Sequence, residues 1–352
     1  MNPRWSDFLA AHGARFDRGA VSSFGAPVEE LAAARDATVV CDLSPWAALQ
    51  VAGPDATVFL QGQLTDDVAA LAPDAAAYGA WCSPKGRMLV NFVIRRSGDA
   101  AYELLLPASL REAIAKRLRM FVLRSRVTVS DDGGATVYLG IGGPGASAAI
   151  GAALAAVPAV HRVVSHGDAT VIALPGPRYV VASGAGGAGA CWERLAAAAR
   201  PAGFAAWRWL TIRAGIPVIT PSTADLFVPQ AANWDVLGGV SFQKGCYAGQ
   251  EIVARMQYLG RLKERLALAH LDAGPPQPGE RLYSAAFGDQ ACGTIVDAAD
   301  APGGGSDALS VLQIAASESG DVHLGAPDGP PLQLLTLPYR VPEPTAPRGR
   351  MA

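Results

Sequence analysis

Short apolar runs alternate with polar turns along the first 110 residues, and their spacing is typical of strands. The segment Ser-Pro-Lys-Gly-Arg at 83–87 separates two of these runs and has the composition of a hairpin turn. After the last run, Leu110, Ile114 and Leu118 recur at helical spacing. The pattern therefore predicts an antiparallel sheet followed by a helix. The predicted strands are 38–43, 46–53, 78–82, 88–95 and 102–106.

The same order of strands and helix returns in weaker form between residues 161 and 200. Two such units predict an α+β protein built from a pseudo-duplicated pair of ferredoxin-like units. Beyond residue 262, short β runs lie between Gly- and Pro-rich loops, which is typical of a small barrel. The predicted divisions are a first unit at 1–135 with contributions from 205–260, a second unit at 136–204, a signature segment at 205–261 packing on the first units, a C-terminal β-barrel at 262–340 and a frayed tail at 341–352.

The chain has 352 residues, of which half are hydrophobic and 17% are charged, so it is too long for one core and too apolar for wholesale disorder. Its formal net charge of −2 gives no overall attraction to nucleic acid or to an anionic membrane. No apolar run reaches the length of a membrane span, and the N-terminus lacks the apolar stretch of a signal peptide. We therefore expect a cytoplasmic protein that contacts no membrane.

Five cysteines are spread singly along the chain, with no Cys-x-x-Cys pair and no histidine near any of them in sequence. This spacing excludes a zinc finger and argues against a complete iron–sulfur ligand set within one chain. We therefore expect no metal site built by this chain alone.

Residues 244–251 read Lys-Gly-Cys-Tyr-Ala-Gly-Gln-Glu and bring a cation, a thiol, an amide and a carboxylate together. Their glycines indicate a sharp bend or the close approach of a ligand. Residues 250–256 predict the start of a helix, so Cys246 lies just before a helix N-terminus and two residues from Lys244. Both features favour the thiolate form. The alternative is that Cys246 is a small buried apolar residue, as most free cysteines are.

This stretch resembles the Lys-Gly-Cys-Tyr-x-Gly-Gln-Glu signature of YgfZ-type folate-binding proteins, a branch of the aminomethyltransferase (glycine-cleavage T-protein) fold. The signature is highly specific, and the resemblance extends over most of the chain. Further segments that resemble the family, in the same order, are 60–65, 83–87, 124–127, 214–217, 229–230 with Asn233, and 237–242.

The resemblance implies a ring-like three-domain body with tetrahydrofolate in a central channel. It also implies a role in making or maintaining iron–sulfur enzymes, including one that thiomethylates tRNA. The partners would be iron–sulfur client enzymes or assembly proteins, with tRNA involved only indirectly, and we expect a monomer. The site residues that the resemblance suggests are Trp46 and Trp207 as folate-contacting tryptophans, Gln230, Asn233, Tyr247 and Arg255 as further cofactor-binding residues, and Cys246 as a reactive thiol whose site Lys244, Gln250 and Glu251 shape.

One departure from the aminomethyltransferases bears on the reaction. Those enzymes carry paired acids after a Gly-containing hairpin, where this chain has Val90 and Asn91. Neither side chain can act as a carboxylate in proton transfer, so aminomethyl transfer by that route is not expected. The leading hypothesis is a folate-binding accessory protein that is not itself an enzyme.

Two alternatives stay open. A folate-dependent one-carbon transferase could take its acid from another position, and the candidates are Asp66, Asp67 and Asp225. An RNA-binding scaffold could instead meet phosphates through Arg124 and Arg126, which follow a run of basic residues on the predicted helix.

Overall fold

The computed structural model describes residues 1–155, 157–258 and 262–342, so the predicted tail lies outside the described residues from 343 onward. Helices and strands follow one another along these residues. In chain order they are α1 (Pro3–Ala11), β1 (Arg15–Asp17), β2 (Ala20–Ser23), α2 (Pro27–Asp36), β3 (Val39–Asp42), β4 (Trp46–Ala52), α3 (Ala56–Gln61), β5 (Ala76–Cys82), β6 (Met88–Gly98), β7 (Ala101–Pro107), α4 (Ala108–Val122), β8 (Thr128–Asp131), β9 (Thr136–Gly142), α5 (Ala146–Leu154), β10 (Val163–His166), β11 (Ala169–Leu174), β12 (Arg178–Gly184), α6 (Ala188–Ala196), β13 (Arg200–Ala202), α7 (Phe204–Arg213), α8 (Gln250–Tyr258), β14 (Glu264–Leu271), β15 (Arg281–Tyr283), β16 (Gly293–Asp300), β17 (Ser306–Gln313), α9 (Ile314–Ser319), β18 (His323–Leu324) and β19 (Gln333–Leu335).

The first unit is an antiparallel sheet in the order β5-β6-β7-β4-β8. The predicted hairpin joins β5 to β6, and the Gly86 N–H closes its turn by donating to the Ser83 carbonyl over 2.8 Å. Helix α4 covers β4 and β8 and buries Leu110, Ile114 and Leu118, the side chains whose spacing predicts the helix. The pattern of apolar positions thus predicts both the sheet and the face that α4 buries against it.

The second unit repeats the arrangement of four strands of the first. Its sheet has the order β10-β11-β12-β9-β3-β13, in which a three-strand meander is followed by the strand that begins the unit. The first sheet has the same arrangement, with β5, β6 and β7 as the meander and β4 beside it. The predicted pseudo-duplication of α+β units is confirmed.

Strand β3 makes the two sheets differ. It lies between β9 and β13 and pairs with both, although it precedes the whole first unit in sequence. Helix α1 packs on α6, and Trp5 and Leu9 join the core of the second unit. The N-terminal residues therefore pack with the second sheet rather than with the first.

The C-terminal region forms an antiparallel sheet in the order β18-β15-β16-β17-β14-β19. Its two edges come together, because the Leu324 N–H donates to the Pro330 carbonyl and the Leu332 N–H donates to the Val322 carbonyl. The sheet therefore curls round into the small barrel that the sequence predicts. Curling protects edge strands that would otherwise offer unpaired backbone groups.

Helix α7 lies at the centre of the molecule and contacts β3 and β9 of the second sheet and β16 and β17 of the barrel. Its buried residues lie on several sides of the helix, as expected for a helix packed all round. Residues 214–249 follow it without a described helix or strand. Among the described residues, no helix has the length and apolar character needed to cross a membrane.

Candidate functional site

A cavity of about 190 Å³ opens where the first sheet, α7 and the barrel meet, and we call it the aromatic cavity. Trp46, at the start of β4, and Trp207, in α7, both line it, so the structure brings the two sequence-predicted tryptophans together. Phe204, Arg208, Thr211 and Asp297 also line it.

Trp207 is fixed in place by its surroundings. Its ring packs over Gly140 of β9, where an added Cβ would lie only 2.5 Å from the indole. The side chain is 2% exposed, and its Nε1 has no hydrogen-bond partner among the described residues. A buried indole N–H normally finds an acceptor, so this unsatisfied donor is unusual.

Arg178 lies beneath Trp207, with its guanidinium carbon 5.5 Å from the centroid of the indole ring. Its nitrogens donate to the Pro175 carbonyl over 3.0 and 3.1 Å and to the Thr211 hydroxyl over 2.9 Å. No carboxylate pairs with it among the described residues, and burial lowers its pKa. These hydrogen bonds hold the guanidinium against the indole ring of Trp207.

Asp297 supplies the one carboxylate among the described residues that line the aromatic cavity. It lies on β16 of the barrel and is 3% exposed. Its Oδ1 accepts from both Arg208 Nε and Arg208 Nη2, and from the Ala298 N–H. Burial raises the pKa of Asp297, and the Arg208 charge opposes that rise. Sequence reasoning missed this residue, because a single aspartate within an apolar strand gives no local signal of a site.

The thiol loop, residues 244–251, is anchored by a buried lysine. The Lys244 ammonium donates to the carbonyls of Leu64 and Asp66 over 2.6 and 2.7 Å, and it lies 5.2 Å from the ring centroid of Tyr247. Burial lowers the pKa of Lys244 to about 8, against the opposing charges of Asp66 and Asp67. Lys244 therefore binds the loop to the first unit.

Asp66 accompanies this lysine inside the protein. Neither of its carboxylate oxygens has a hydrogen-bond partner among the described residues, and a side chain at Gly79 would overlap them. Burial raises the pKa of Asp66 to about 7, although the Lys244 charge acts in the opposite direction. The ammonium and the carboxyl are therefore two neighbouring buried groups, with no hydrogen bond between them, whose charges depend on pH near neutrality.

Two glycines dock the thiol loop on the β5–β6 hairpin. Gly249 has φ +80°, and a Cβ there would overlap the Ser83 carbonyl and lie 2.8 Å from the Gly86 Cα. Gly86 has φ +70°, and a Cβ there would lie 2.8 Å from the Ile252 Cβ. Only glycine combines this backbone conformation with such a close approach. The sequence predicts a sharp bend or the close approach of a ligand at the glycines of the motif. At Gly249 the structure instead shows the close approach of the β5–β6 hairpin.

Cys246 is exposed, whereas the other four cysteines are buried. The interpretation of Cys246 as a buried apolar residue is therefore wrong. Burial raises the pKa of the Cys41 and Cys82 thiols, which makes them poor nucleophiles. Among the described residues, no group of three or more His, Cys, Asp and Glu is placed to hold a metal ion.

Gln250 and Glu251 of the predicted thiol site, and Tyr247 and Arg255, which are predicted to bind the cofactor, lie around Cys246 at different depths. Tyr247 is buried, and burial raises its pKa. Gln250 is half-buried at the first residue of α8, while Glu251 and Arg255 are exposed on the same helix. Glu251 lies in the first turn, where the helix dipole favours a carboxylate. The structure thus places all these residues on one loop and helix, away from the aromatic cavity.

Gln230 and Asn233 hold backbone groups of neighbouring elements. The Gln230 Nε2 donates to the Val253 carbonyl of α8 over 2.7 Å. Asn233 exchanges two 3.3 Å hydrogen bonds with the backbone of Leu266 in β14. These amides connect the segment after α7 to α8 and to the barrel, and their contact with a cofactor stays a prediction.

By the family resemblance, Asn91 takes the place of an acid of the aminomethyltransferases, and here its side chain bridges two backbone groups. Its Nδ2 donates to the Pro217 carbonyl over 2.7 Å, and its Oδ1 accepts from the Ile219 N–H over 2.9 Å. Val90 beside it is fully buried. Only an amide can make both bonds at once, because a carboxylate could accept from the Ile219 N–H but could not donate to the Pro217 carbonyl.

The other candidate acids and cations do not line the aromatic cavity. Asp67 accepts from the Gln61 side chain over 2.9 Å, and Asp225 accepts from the Ser83 hydroxyl over 2.7 Å. Arg126 is paired with Asp55 at 3.0 Å on the surface, and Arg124 is exposed nearby. The geometry of these described residues gives no special support to the transferase or to the RNA scaffold.

Comparison with known proteins first defines the class. Residues 14–183 match the family model described as the GCVT N-terminal domain. The whole fold is similar to that of the glycine cleavage system aminomethyltransferase T from Bartonella henselae, with a TM-score of 0.77 over 95% of this chain and 96% of that chain, at 19% identity. The protein therefore has the aminomethyltransferase fold.

Relatives with closer sequences then define the family. The tRNA-modifying protein YgfZ of Sodalis glossinidius is 34% identical over 307 residues, which cover 86% of this chain and 93% of that protein. The tRNA-modifying protein YgfZ of Cronobacter sakazakii is 37% identical over 259 residues, which cover 72% of this chain and 78% of that protein. The chain belongs to the YgfZ family, as the resemblance of its signature motif predicts.

Proposed function

We propose that this protein binds tetrahydrofolate in the aromatic cavity and supports the assembly or repair of iron–sulfur enzymes through the Cys246 thiol. Its clients would include an enzyme that thiomethylates tRNA, and it would act as a monomer in the cytoplasm. The observation that carries the proposal is the exposure of Cys246 on a loop that a buried lysine holds to the first unit.

The aromatic cavity fits the flat ring of a pterin. Trp46 and Trp207 both line it, and aromatic side chains of this kind stack on flat ring systems. Its volume of about 190 Å³ is below the roughly 300–1,000 Å³ of clefts that hold a drug-sized ligand. The ring system would therefore lie inside, with the rest of the folate outside.

A supporting role for Cys246 follows from its chemistry. One thiolate cannot hold a cluster, because iron–sulfur clusters need several cysteine ligands. Cys246 would therefore serve as one ligand of a site shared with a partner, or act on the partner's own cluster. Its exposed position lets a partner reach it without unfolding the protein.

The test replaces the thiol in cells that lack the chromosomal copy of this protein. We expect the Cys246→Ser variant to leave thiomethylated tRNA low under oxidative load, while the wild type restores it. The matched control is Gln243→Ala, which alters another exposed side chain close to the thiol loop and should restore the modification. Full restoration by Cys246→Ser would contradict the proposed role of the thiol.

A further inference from the structure

The geometry points to Asp297 as the residue that recognises the 2-amino group of the ligand's pyrimidine edge, through its Oδ2. This inference rests on the proposed binding of tetrahydrofolate in the aromatic cavity. It adds a specificity-determining contact from the C-terminal barrel, a part of the chain in which sequence reasoning found no site residue.

A β-bulge aims Asp297 at the cavity. The pairing of β16 with β17 is regular up to Ile295 and shifts before Asp297. Ile295 and Ala298 pack in the barrel core, whereas Val296 and Ala299 pack in the large core of the main body. Strict alternation from Ile295 would point Asp297 into the barrel, but the bulge instead turns it toward α7. Bulges commonly re-aim a side chain beside a functional site.

The hydrogen bonds of Asp297 leave one oxygen available. All three donors that reach its carboxylate, two from Arg208 and one from Ala298, meet Oδ1. No hydrogen bond among the described residues reaches Oδ2. Since Asp297 lines the aromatic cavity, Oδ2 is the oxygen that a molecule in the cavity meets.

The chemistry of this oxygen selects a donor. A carboxylate accepts hydrogen bonds, and a buried one needs them, because a desolvated charge without partners is costly. A pterin presents its 2-amino N–H groups on the pyrimidine edge. An analogue with a 2-oxo group in that position would present an acceptor to Oδ2, and two facing acceptors would weaken its binding.

Two ligands and one isosteric variant test the assignment. The full-length protein is titrated with tetrahydrofolate and with its 2-oxo analogue, anaerobically, and tryptophan fluorescence reports binding. We expect the wild type to prefer the 2-amino ligand by about tenfold or more, the effect of about 1.4 kcal/mol. In Asp297→Asn the oxygen would stay with Arg208 and the amide NH₂ would face the ligand, so the preference should vanish or reverse.

A general loss of stability would weaken the binding of both ligands alike, so it cannot change the preference between them. Asp300→Asn, an exposed position on the same strand, is the matched control and should keep the wild-type preference. If Asp297→Asn also keeps that preference, the assignment of Asp297 is wrong while folate binding stands. If the wild type binds neither ligand, the proposed function fails and the assignment fails with it.

Discussion

The aromatic cavity and the thiol loop hold their functional groups in opposite ways. In the cavity, both indoles and one carboxylate are fixed by packing between the first sheet, α7 and the barrel. In the thiol loop, an exposed thiol follows a buried lysine that holds the backbone from inside. Under the proposed function this difference corresponds to a division of work, in which the cavity would retain the ligand and the loop would present the thiol to a partner.

Replacing Lys244, which anchors the thiol loop, should have the largest effect on stability. The Lys244→Met variant keeps an apolar stem but loses both hydrogen bonds from the ammonium to the carbonyls of Leu64 and Asp66. We expect a loss of about 3 kcal/mol in the free energy of unfolding, because hydrogen bonds from a charged group contribute about 1.5–3 kcal/mol each. Urea denaturation measures it.

The control for this variant is Lys263→Met, which removes an exposed lysine and should leave the free energy of unfolding almost unchanged. Folded Lys244→Met should still bind tetrahydrofolate, because Lys244 does not line the aromatic cavity. A loss of binding by protein shown to be folded would mean that the two regions are not independent.

Asp66→Asn should give the next largest effect, and one that depends on pH. The folded-state pKa of Asp66 is raised to about 7, so the folded protein binds a proton that the unfolded chain releases above about pH 4. This group therefore makes the wild type less stable as pH rises from about 4 to about 7. The variant lacks that titration, so its advantage should grow over the same window, by about 1.4 kcal/mol per pH unit.

Denaturation curves of both proteins at several pH values measure this difference. Above about pH 7 it should stay constant until Lys244 begins to lose its proton, near its lowered pKa of about 8. A difference that does not change between pH 4 and pH 7 would contradict the raised pKa of Asp66 in the folded protein.

Asn91→Asp should have a smaller effect and tests the departure from the aminomethyltransferases. The variant places a carboxylate where the resemblance implies an acid in those enzymes, but it loses the donor to the Pro217 carbonyl. We expect the free energy of unfolding to fall by about 1–2 kcal/mol, the cost of leaving a buried acceptor unpaired. We also expect no turnover of methylene-tetrahydrofolate with an amine donor. Turnover by this variant would show that one side chain alone separates this protein from the enzymes.

The sequence predicts most of the local structure, because local structure depends on local patterns. The apolar spacing of Leu110, Ile114 and Leu118 identifies α4, and Gly86 marks the turn of the hairpin. The position of β3 could not be predicted, because its pairing with β9 joins segments about 100 residues apart and leaves no trace in nearby residues. Long-range pairing therefore decides which sheet receives the N-terminus.

The same distinction between local pattern and long-range packing decides which site residues could be predicted. The motif at 244–251 is visible in the sequence because its chemistry is contiguous, and the structure exposes its thiol. Asp297 and Arg178 join Trp207 only through packing between distant segments, and neither lies in a motif. The burial of Asp66 is equally invisible, because Asp66 and Asp67 look alike in sequence and differ only in depth.

The most direct test of folate binding in the aromatic cavity is a titration with tetrahydrofolate that follows tryptophan fluorescence. The wild type, Trp46→Phe, Trp207→Phe and Cys246→Ser are compared under anaerobic conditions. We expect saturable quenching in the wild type, equal affinity in Cys246→Ser, and both weaker binding and smaller quenching in the two tryptophan variants. Equal affinity in both tryptophan variants, or loss of binding in Cys246→Ser, would contradict a ligand site in the aromatic cavity that is separate from the thiol.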